Sequence, residues 1–374
     1  MKKLFLITIL FISTIHANTL SMYQEECDKG NAQQCYNLAL QLTQNKEINT
    51  SNNNIDAILK LFDKACSLGE SRGCGMAGFV YGDKKTMTKA KTLQTLSLFQ
   101  KACDLGSASG CVELGLMYEN QENTFYNLDK VAIAYKKACD GRVANGCLGM
   151  ALLYNEGRKF KQNDASAKDY YLKAVAYGSD IANYDLAELY SNTESNEYNS
   201  EKAAIAYSDS CYSDDTRGCY ELGSMYTKGY GVKRNHFKAT KLYKRSCHDG
   251  YGKGCNALGM NYYKGLGVEK DFTIAIKFFE RSCDGDDMMG CVYLAISYDD
   301  GIGVKKDESK ALELNRKGCK LGFSLSCVWV GNHYKDGFIV KKDEVKAKKF
   351  YRKACDDGEI DGCRALSIMQ EKQQ

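Results

Sequence analysis

The chain has 374 residues, with 51 Lys and Arg against 47 Asp and Glu for a formal net charge of +4, no proline, 34 glycines and 18 cysteines. Basic and acidic residues interleave along every segment, so no cationic stripe can track phosphates and no nucleic-acid partner is expected. The length argues against a single compact core and leaves either several domains or a repeat array.

At the start of the chain, Lys2 and Lys3 precede an apolar run from Leu4 to Ile12 and then Ser13-Thr14-Ile15-His16-Ala17. That order reads as a secretory signal peptide over residues 1–17, cut after the small Ala17. The run is too short to span a bilayer as a mature anchor. The first cysteine beyond the cut is Cys27, which argues against a lipid-anchored form. The expectation is a mature chain that is secreted or periplasmic and has no membrane anchor after cleavage. Loss of Lys2 and Lys3 leaves 49 basic against 47 acidic residues, charges that read as solvated helix faces.

The cysteines then set the frame. They form nine pairs with seven residues between partners: Cys27 and Cys35, Cys66 and Cys74, Cys103 and Cys111, Cys139 and Cys147, Cys211 and Cys219, Cys247 and Cys255, Cys283 and Cys291, Cys319 and Cys327, and Cys355 and Cys363. Successive pairs are displaced by 39, 37, 36, 72 and then four times 36 residues, and Val175 and Asn183 stand where the skipped pair would be. A fixed period of this size marks a stacked solenoid, because one unit cannot bury its apolar face without neighbours. The prediction is one solenoid of about ten repeats over residues 18–374. Its junctions lie at 27–35, 66–74, 103–111, 139–147, 175–183, 211–219, 247–255, 283–291, 319–327 and 355–363.

Each repeat reads as two helices. After each second cysteine a small residue (Gly78, Gly115, Ala151, Ala187, Gly223, Gly259, Ala295, Gly331) comes three positions before a tyrosine (Tyr81, Tyr118, Tyr154, Tyr190, Tyr226, Tyr262, Tyr298, Tyr334). Before each first cysteine comes a second helix with an aromatic at Phe62, Phe99, Tyr135, Tyr171, Tyr207, Tyr243, Phe279 and Tyr351, and Asn315 as the exception. The spacing is helical throughout, with no alternating strand signal. Between repeats, Gly229-Tyr230-Gly231-Val232, Gly265-Leu266-Gly267-Val268 and Gly301-Ile302-Gly303-Val304 follow a helix rather than a strand, so they read as turns and not as phosphate cradles. Gly337-Phe338-Ile339-Val340 is the same loop with one glycine lost, and Asp271, Asp307 and Asp343 follow the last three of these loops where an N-cap is wanted.

Each cysteine pair brackets a short connection between antiparallel helices, which brings facing positions close enough to bridge, so a local disulfide is predicted within every pair. Closing nine residues restricts the unfolded chain by roughly 2.6 kcal/mol in the entropic treatment. Zinc sites favour closer cysteine spacings and often recruit histidine, and only His236, His248 and His333 follow the leader. No metal and no cofactor is therefore expected. The unbridged junction at Val175 and Asn183 should open more readily than the others and could serve as a hinge.

The segment Tyr243-Lys244-Arg245-Ser246-Cys247-His248-Asp249-Gly250, followed by Gly254-Cys255-Asn256-Ala257-Leu258-Gly259-Met260-Asn261-Tyr262-Tyr263-Lys264-Gly265-Leu266-Gly267-Val268, resembles the Sel-one-like repeat, a relative of the tetratricopeptide repeat. With its cysteine pairs the chain is similar to the Helicobacter cysteine-rich proteins, from about Leu20 to Met369. The resemblance implies an all-α, right-handed superhelical solenoid of αα-hairpins whose concave surface takes a peptide, a protein or a cell-wall-derived, peptidoglycan-like ligand. It also implies, as an alternative, β-lactam binding or weak β-lactamase activity. The chain holds no Ser-x-x-Lys, Lys-Thr-Gly or Ser-Asp-Asn and no clustered histidines, so the known parts of such an enzyme are missing and a non-catalytic scaffold is the first expectation.

For a ligand surface, the first helix of each repeat carries one column that runs Met117, Leu153, Leu189, Met225, Asn261, Ser297, His333, turning from apolar to polar. A neighbouring column contains Ala257, Tyr293 and Trp329. Asn261, Tyr293, Ser297, Trp329 and His333 are thus the candidate ligand-binding residues, with inter-repeat packing as the other reading of Tyr293 and Trp329.

Overall fold

The computed structural model describes residues 19–44, 52–82, 88–121 and 124–371; the signal peptide read at residues 1–17 lies outside these. Among the described residues all regular structure is helical. The chain divides into two compact units, residues 1–182 and 183–374, and the division falls inside the junction that lacks cysteines.

The first unit holds α1 (19–28), α2 (Ala32–Gln44), α3 (Asn52–Ser67), α4 (Ser71–Tyr81), α5 (Lys89–Asp104), α6 (Ala108–Glu119), α7 (Leu128–Asp140), α8 (Ala144–Asn155) and α9 (Asp164–Ala176). After α10 (Asp180–Ser191), in which the division falls, the second unit holds α11 (Ser200–Tyr212), α12 (Thr216–Lys228), α13 (His236–His248), α14 (Gly252–Lys264) and α15 (Phe272–Asp284). It continues with α16 (Met288–Asp300), α17 (Glu308–Lys320), α18 (Ser324–Asp336), α19 (Glu344–Asp356) and α20 (Ile360–Glu371). Within each unit a helix packs on its sequence neighbours and, more lightly, on the helix two further on, as α14 does on α16 and α4 on α6. Each unit is therefore a stack of αα-hairpins, the solenoid that the 36-residue period predicts.

All nine predicted disulfides are formed. In the first unit they are Cys27–Cys35, Cys66–Cys74, Cys103–Cys111 and Cys139–Cys147. In the second they are Cys211–Cys219, Cys247–Cys255, Cys283–Cys291, Cys319–Cys327 and Cys355–Cys363. Their Cα–Cα separations run from 4.4 Å at Cys66–Cys74 to 4.7 Å at Cys319–Cys327, close enough to bridge without moving either helix. The cysteines of eight pairs are buried, Cys35, Cys111, Cys291 and Cys327 at most 2% exposed, whereas Cys355 and Cys363 are half-buried. The last bridge, Cys355–Cys363, joins α19 to α20.

The turn that the bridges bracket has one recurring geometry. In the Cys247–Cys255 turn, Gly250 N donates to Cys247 O and Tyr251 N to Ser246 O, with Gly250 at φ 91°. Glycine suits that left-handed position because it has no Cβ to clash. Three junctions instead place Arg142, Asp214 and Asp286 there, at φ 61°, 62° and 56°. The unbridged junction keeps the same pattern: Gly178 N donates to Val175 O and Ser179 N to Ala174 O, with Gly178 at φ 92°.

The G-x-G loops are helix ends, as expected. Gly229, Gly265 and Gly301 are left-handed caps of α12, α14 and α16. The second glycine is required by close approach, since a Cβ on Gly267 would lie 2.3 Å from His236 O. Asp271, Asp307 and Asp343 cap α15, α17 and α19, each accepting a backbone N–H three residues on at 2.9 Å.

In each unit the core sets rings against backbone. Phe62, Tyr171, Phe279 and Tyr351 are fully buried. A Cβ on Gly115, Gly223, Gly259 or Gly331 would come within 2.4 to 2.7 Å of the ring of Tyr135, Tyr243, Phe279 or Tyr351. The small residues found by period thus face the aromatic of the next helix, and the ring fills the space that a side chain would take.

Candidate binding surface

The candidate residues lie on α14, α16 and α18, the first helices of three successive hairpins in the second unit. Asn261 turns inward. It is 3% exposed, and its Nδ2 donates to Thr240 Oγ1 at 2.8 Å, while the Thr240 hydroxyl lies 2.9 Å from His236 O and 3.0 Å from Leu266 O. Thr240 occupies a column that is apolar at Ala204, Ile276 and Leu312. The pair replaces an apolar contact with a satisfied polar one inside the core, and the reading of Asn261 as a groove residue is corrected on that ground. Ser297 is also buried, 2% exposed, and donates to Tyr293 O at 2.7 Å within its own helix, so its proton is not on offer to a ligand.

Tyr293, Trp329 and His333 are half-buried. Tyr293 stacks on Phe279, with centroids 5.3 Å apart and planes at 28°. With Met260, Tyr263, Phe279, Ile296, Ser297 and Ile302 it lines a largely apolar pocket of about 230 Å³. Trp329 and His333 line a second pocket of about 190 Å³ with Ala295, Ile296, Asp299, Ala311, Asn315 and Asn332. Ile296 is exposed and belongs to both, so the two pockets adjoin on the α16 surface.

The second pocket has a cause in the sequence. In every other repeat the residue four before the first cysteine of the junction is an aromatic that fills this space; here it is Asn315, buried and accepting from Ser326 Oγ at 3.2 Å. The column residue behind it is Ala295, equivalent to Gly259 and Gly331. Trp329 stands where Tyr293 stacks on Phe279 one repeat earlier, but has no ring at 315 to meet and tilts instead on Phe323, at 6.3 Å and 54°. Asn315, Asp299, Ile296 and Asn332 were not singled out as site residues from sequence. The signal was present in the one break in the aromatic column.

A second concentration of aromatic and charged groups lies around α10 to α14. Tyr184 packs edge-on to Tyr207 at 5.7 Å, Tyr220 contacts Tyr243 and Tyr251, and the Arg217 guanidinium sits 4.0 Å over Tyr184. Burial and then the Glu188 charge push the Glu221 carboxyl up. Burial foremost, with the Glu188 hydrogen bond next, pushes the Tyr207 phenol up as well. Arg217 pairs with Asp215 at 2.7 Å, and the rings pack on one another. Among the described residues no group of three or more His, Cys, Asp and Glu could hold a metal ion, and no helix is long and apolar enough to cross a membrane.

The Sel1 repeat profile matches residues 81–107, 108–141, 144–178, 216–251, 252–287, 289–323 and 324–359. Among solved structures, the chain is similar to c5321, a protective antigen of uropathogenic Escherichia coli with an SLR fold. That match has 20% identity, 94% of this chain and 90% of that one covered, and a TM-score of 0.68. A Sel1 repeat protein from Oxalobacter formigenes matches at 18% identity, 83% and 90% coverage, and a TM-score of 0.68. Helicobacter pylori cysteine rich protein B matches at 27% identity over 35% of this chain and 96% of its own, with a TM-score of 0.30. No curated protein sequence matches.

Proposed function

Since the chain belongs to the Sel1 repeat family, we propose that it is an exported binding scaffold that holds a polypeptide or a cell-wall-derived ligand on the face formed by α14, α16 and α18. One observation carries this reading: two pockets meet at Ile296 and between them take in Tyr293, Trp329 and His333. A run of adjoining pockets with aromatic walls and a few polar groups suits an extended ligand, which gains area from the rings and register from the hydrogen bonds. Export is supported by nine disulfides with no free cysteine among the described residues, since such bridges persist in oxidising compartments.

The test is selection of a displayed random-peptide library, and in parallel of soluble peptidoglycan fragments, on the oxidised protein, followed by calorimetry. The expected outcome is an enriched ligand whose affinity falls at least about tenfold in Trp329→Ala, the loss typical of a central aromatic anchor. Ligands that bind Trp329→Ala as tightly as the parent would place the binding face elsewhere. Sustained turnover of a chromogenic cephalosporin above a contaminant control would replace binding with hydrolysis.

A further inference from the structure

The cavity beside Asn315 has the position of a missing side chain, and its walls say what that side chain was like. In neighbouring repeats the ring at this column lies between a small residue on the preceding helix and the column residue that follows the disulfide turn. Phe279 sits between Gly259 and Tyr293 in this way. At three of the tyrosines the hydroxyl meets a polar side chain near the end of the preceding first helix, Tyr135 on Glu119, Tyr243 on Thr227 at 3.0 Å, and Tyr207 on Ser191 at 3.2 Å, while Tyr351 donates to Asn332, nineteen residues before it, and Tyr207 also to Glu188. Glu119, Thr227 and Ser191 are each sixteen residues before their tyrosine. At Asn315 every wall is kept and the ring is absent. Ala295 is the small residue, Trp329 the facing ring, and Asp299, sixteen positions before Asn315, the hydroxyl acceptor; all three line the cavity. Among the described residues the Asp299 carboxylate accepts no hydrogen bond, and its side chain is exposed at the cavity mouth.

We infer that this cavity is a receptor for a tyrosine side chain of a bound polypeptide, whose ring takes the place that the chain's own aromatic takes in the other repeats. This rests on the binding reading above and names the ligand group for one of its two pockets. The volume of about 190 Å³ accommodates a phenol, given that a closed apolar cavity of about 150 Å³ takes up benzene. The ring stacks on the Trp329 indole, which has lost its intramolecular partner, and the phenol donates to Asp299. A phenylalanine fills the same space without the second interaction. An aliphatic side chain offers Trp329 no ring to stack against. An alanine floor is compatible with a tyrosine here, because Ala151 and Ala187 hold the same column before Tyr171 and Tyr207.

The chain's single tryptophan reports on the site directly. N-acetyl-tyrosinamide, N-acetyl-phenylalaninamide and N-acetyl-leucinamide are titrated into the oxidised full chain, with Trp329 emission excited at its red edge, where tyrosine does not absorb. Saturable binding of the tyrosine compound is expected, about three- to tenfold tighter than the phenylalanine compound, as one hydrogen bond to a solvent-exposed acceptor provides, with no saturation by the leucine compound. Asn315→Tyr supplies the missing ring from within and should lose the tyrosine compound by at least about tenfold, the effect of a filled pocket. Asp299→Ala, an exposed change that leaves packing intact, should bring the tyrosine and phenylalanine compounds to equal affinity. No saturation by the tyrosine compound, equal binding by Asn315→Tyr, or a leucine compound as good as the tyrosine one overturns the inference. The two readings fail separately. Selected peptides that bind Asn315→Tyr as tightly as the parent leave the scaffold reading standing and remove the tyrosine site. A site that takes the tyrosine compound in a protein that selects no peptide does the reverse.

Discussion

Arg142 occupies the turn position that seven of the ten junctions give to glycine, and it is held at φ 61°. A side chain in that region meets its own following carbonyl, at a cost of about 1–2 kcal/mol. Part of that is returned by the lower freedom of a non-glycine residue in the unfolded chain. Arg142→Gly should therefore stabilise the Cys139–Cys147 turn by roughly 0.5–1 kcal/mol, seen as slower amide exchange at residues 140–146 under conditions where the remaining turns are unchanged. At this scale much was legible in the sequence. The cysteines, the glycine columns and the Asp caps are each a residue type demanded by one backbone position. The orientation of Asn261 was not legible, because its partner Thr240 lies 21 residues away on the preceding helix. A polar residue replacing Leu153 or Met225 in a column looks like a surface until the polar residue opposite it is seen.

The hairpin junction at Val175 and Asn183 tests what a disulfide adds to an element that already has its hydrogen bonds. Its turn uses the same backbone bonds as the bridged ones, so the covalent link is the difference. Losing the restraint on a nine-residue loop is worth at most about 2.6 kcal/mol in the entropic treatment, and in a repeat array the effect stays local. Hydrogen exchange on the oxidised protein should find residues 176–182 less protected than the turn between Cys211 and Cys219. A verified Val175→Cys, Asn183→Cys disulfide variant should restore the protection; equal protection in the parent would remove the argument. Helix periods and loop positions were read at this scale with few losses, since a 36-residue spacing repeats the evidence at each turn. The Asn315 cavity escaped because it needs three helices. Asn315 stands out as the one break in its column, but only its juxtaposition with Ala295 and Trp329 across α16, α17 and α18 shows that the break leaves a space.

At the scale of the molecule, the second unit stores tyrosines in a form that titrates. Burial first, and then Asp336, push the Tyr351 phenol up to about 12; burial first, and then Glu221, push Tyr220 up to about 12. The folded state favours the protonated phenol, so this stabilisation is complete below the unfolded tyrosine value of about 10 and is lost as pH rises through 12. Helical circular dichroism and phenolate absorbance should therefore change together between pH 10 and 12; phenolate that appears fully near pH 10 with the helices intact would contradict the burial. The local bridges have a consequence of another kind, for how such a chain is made. Eighteen cysteines can pair in on the order of 10⁷ ways, yet every bridge joins a cysteine to the next one in sequence, eight residues along, from Cys27–Cys35 to Cys355–Cys363. A chain threaded through a membrane N-terminus first presents each cysteine with its right partner before the next pair has emerged. For a chain exported as proposed, the order of arrival would do the sorting, and oxidation would keep pace with translocation one hairpin at a time.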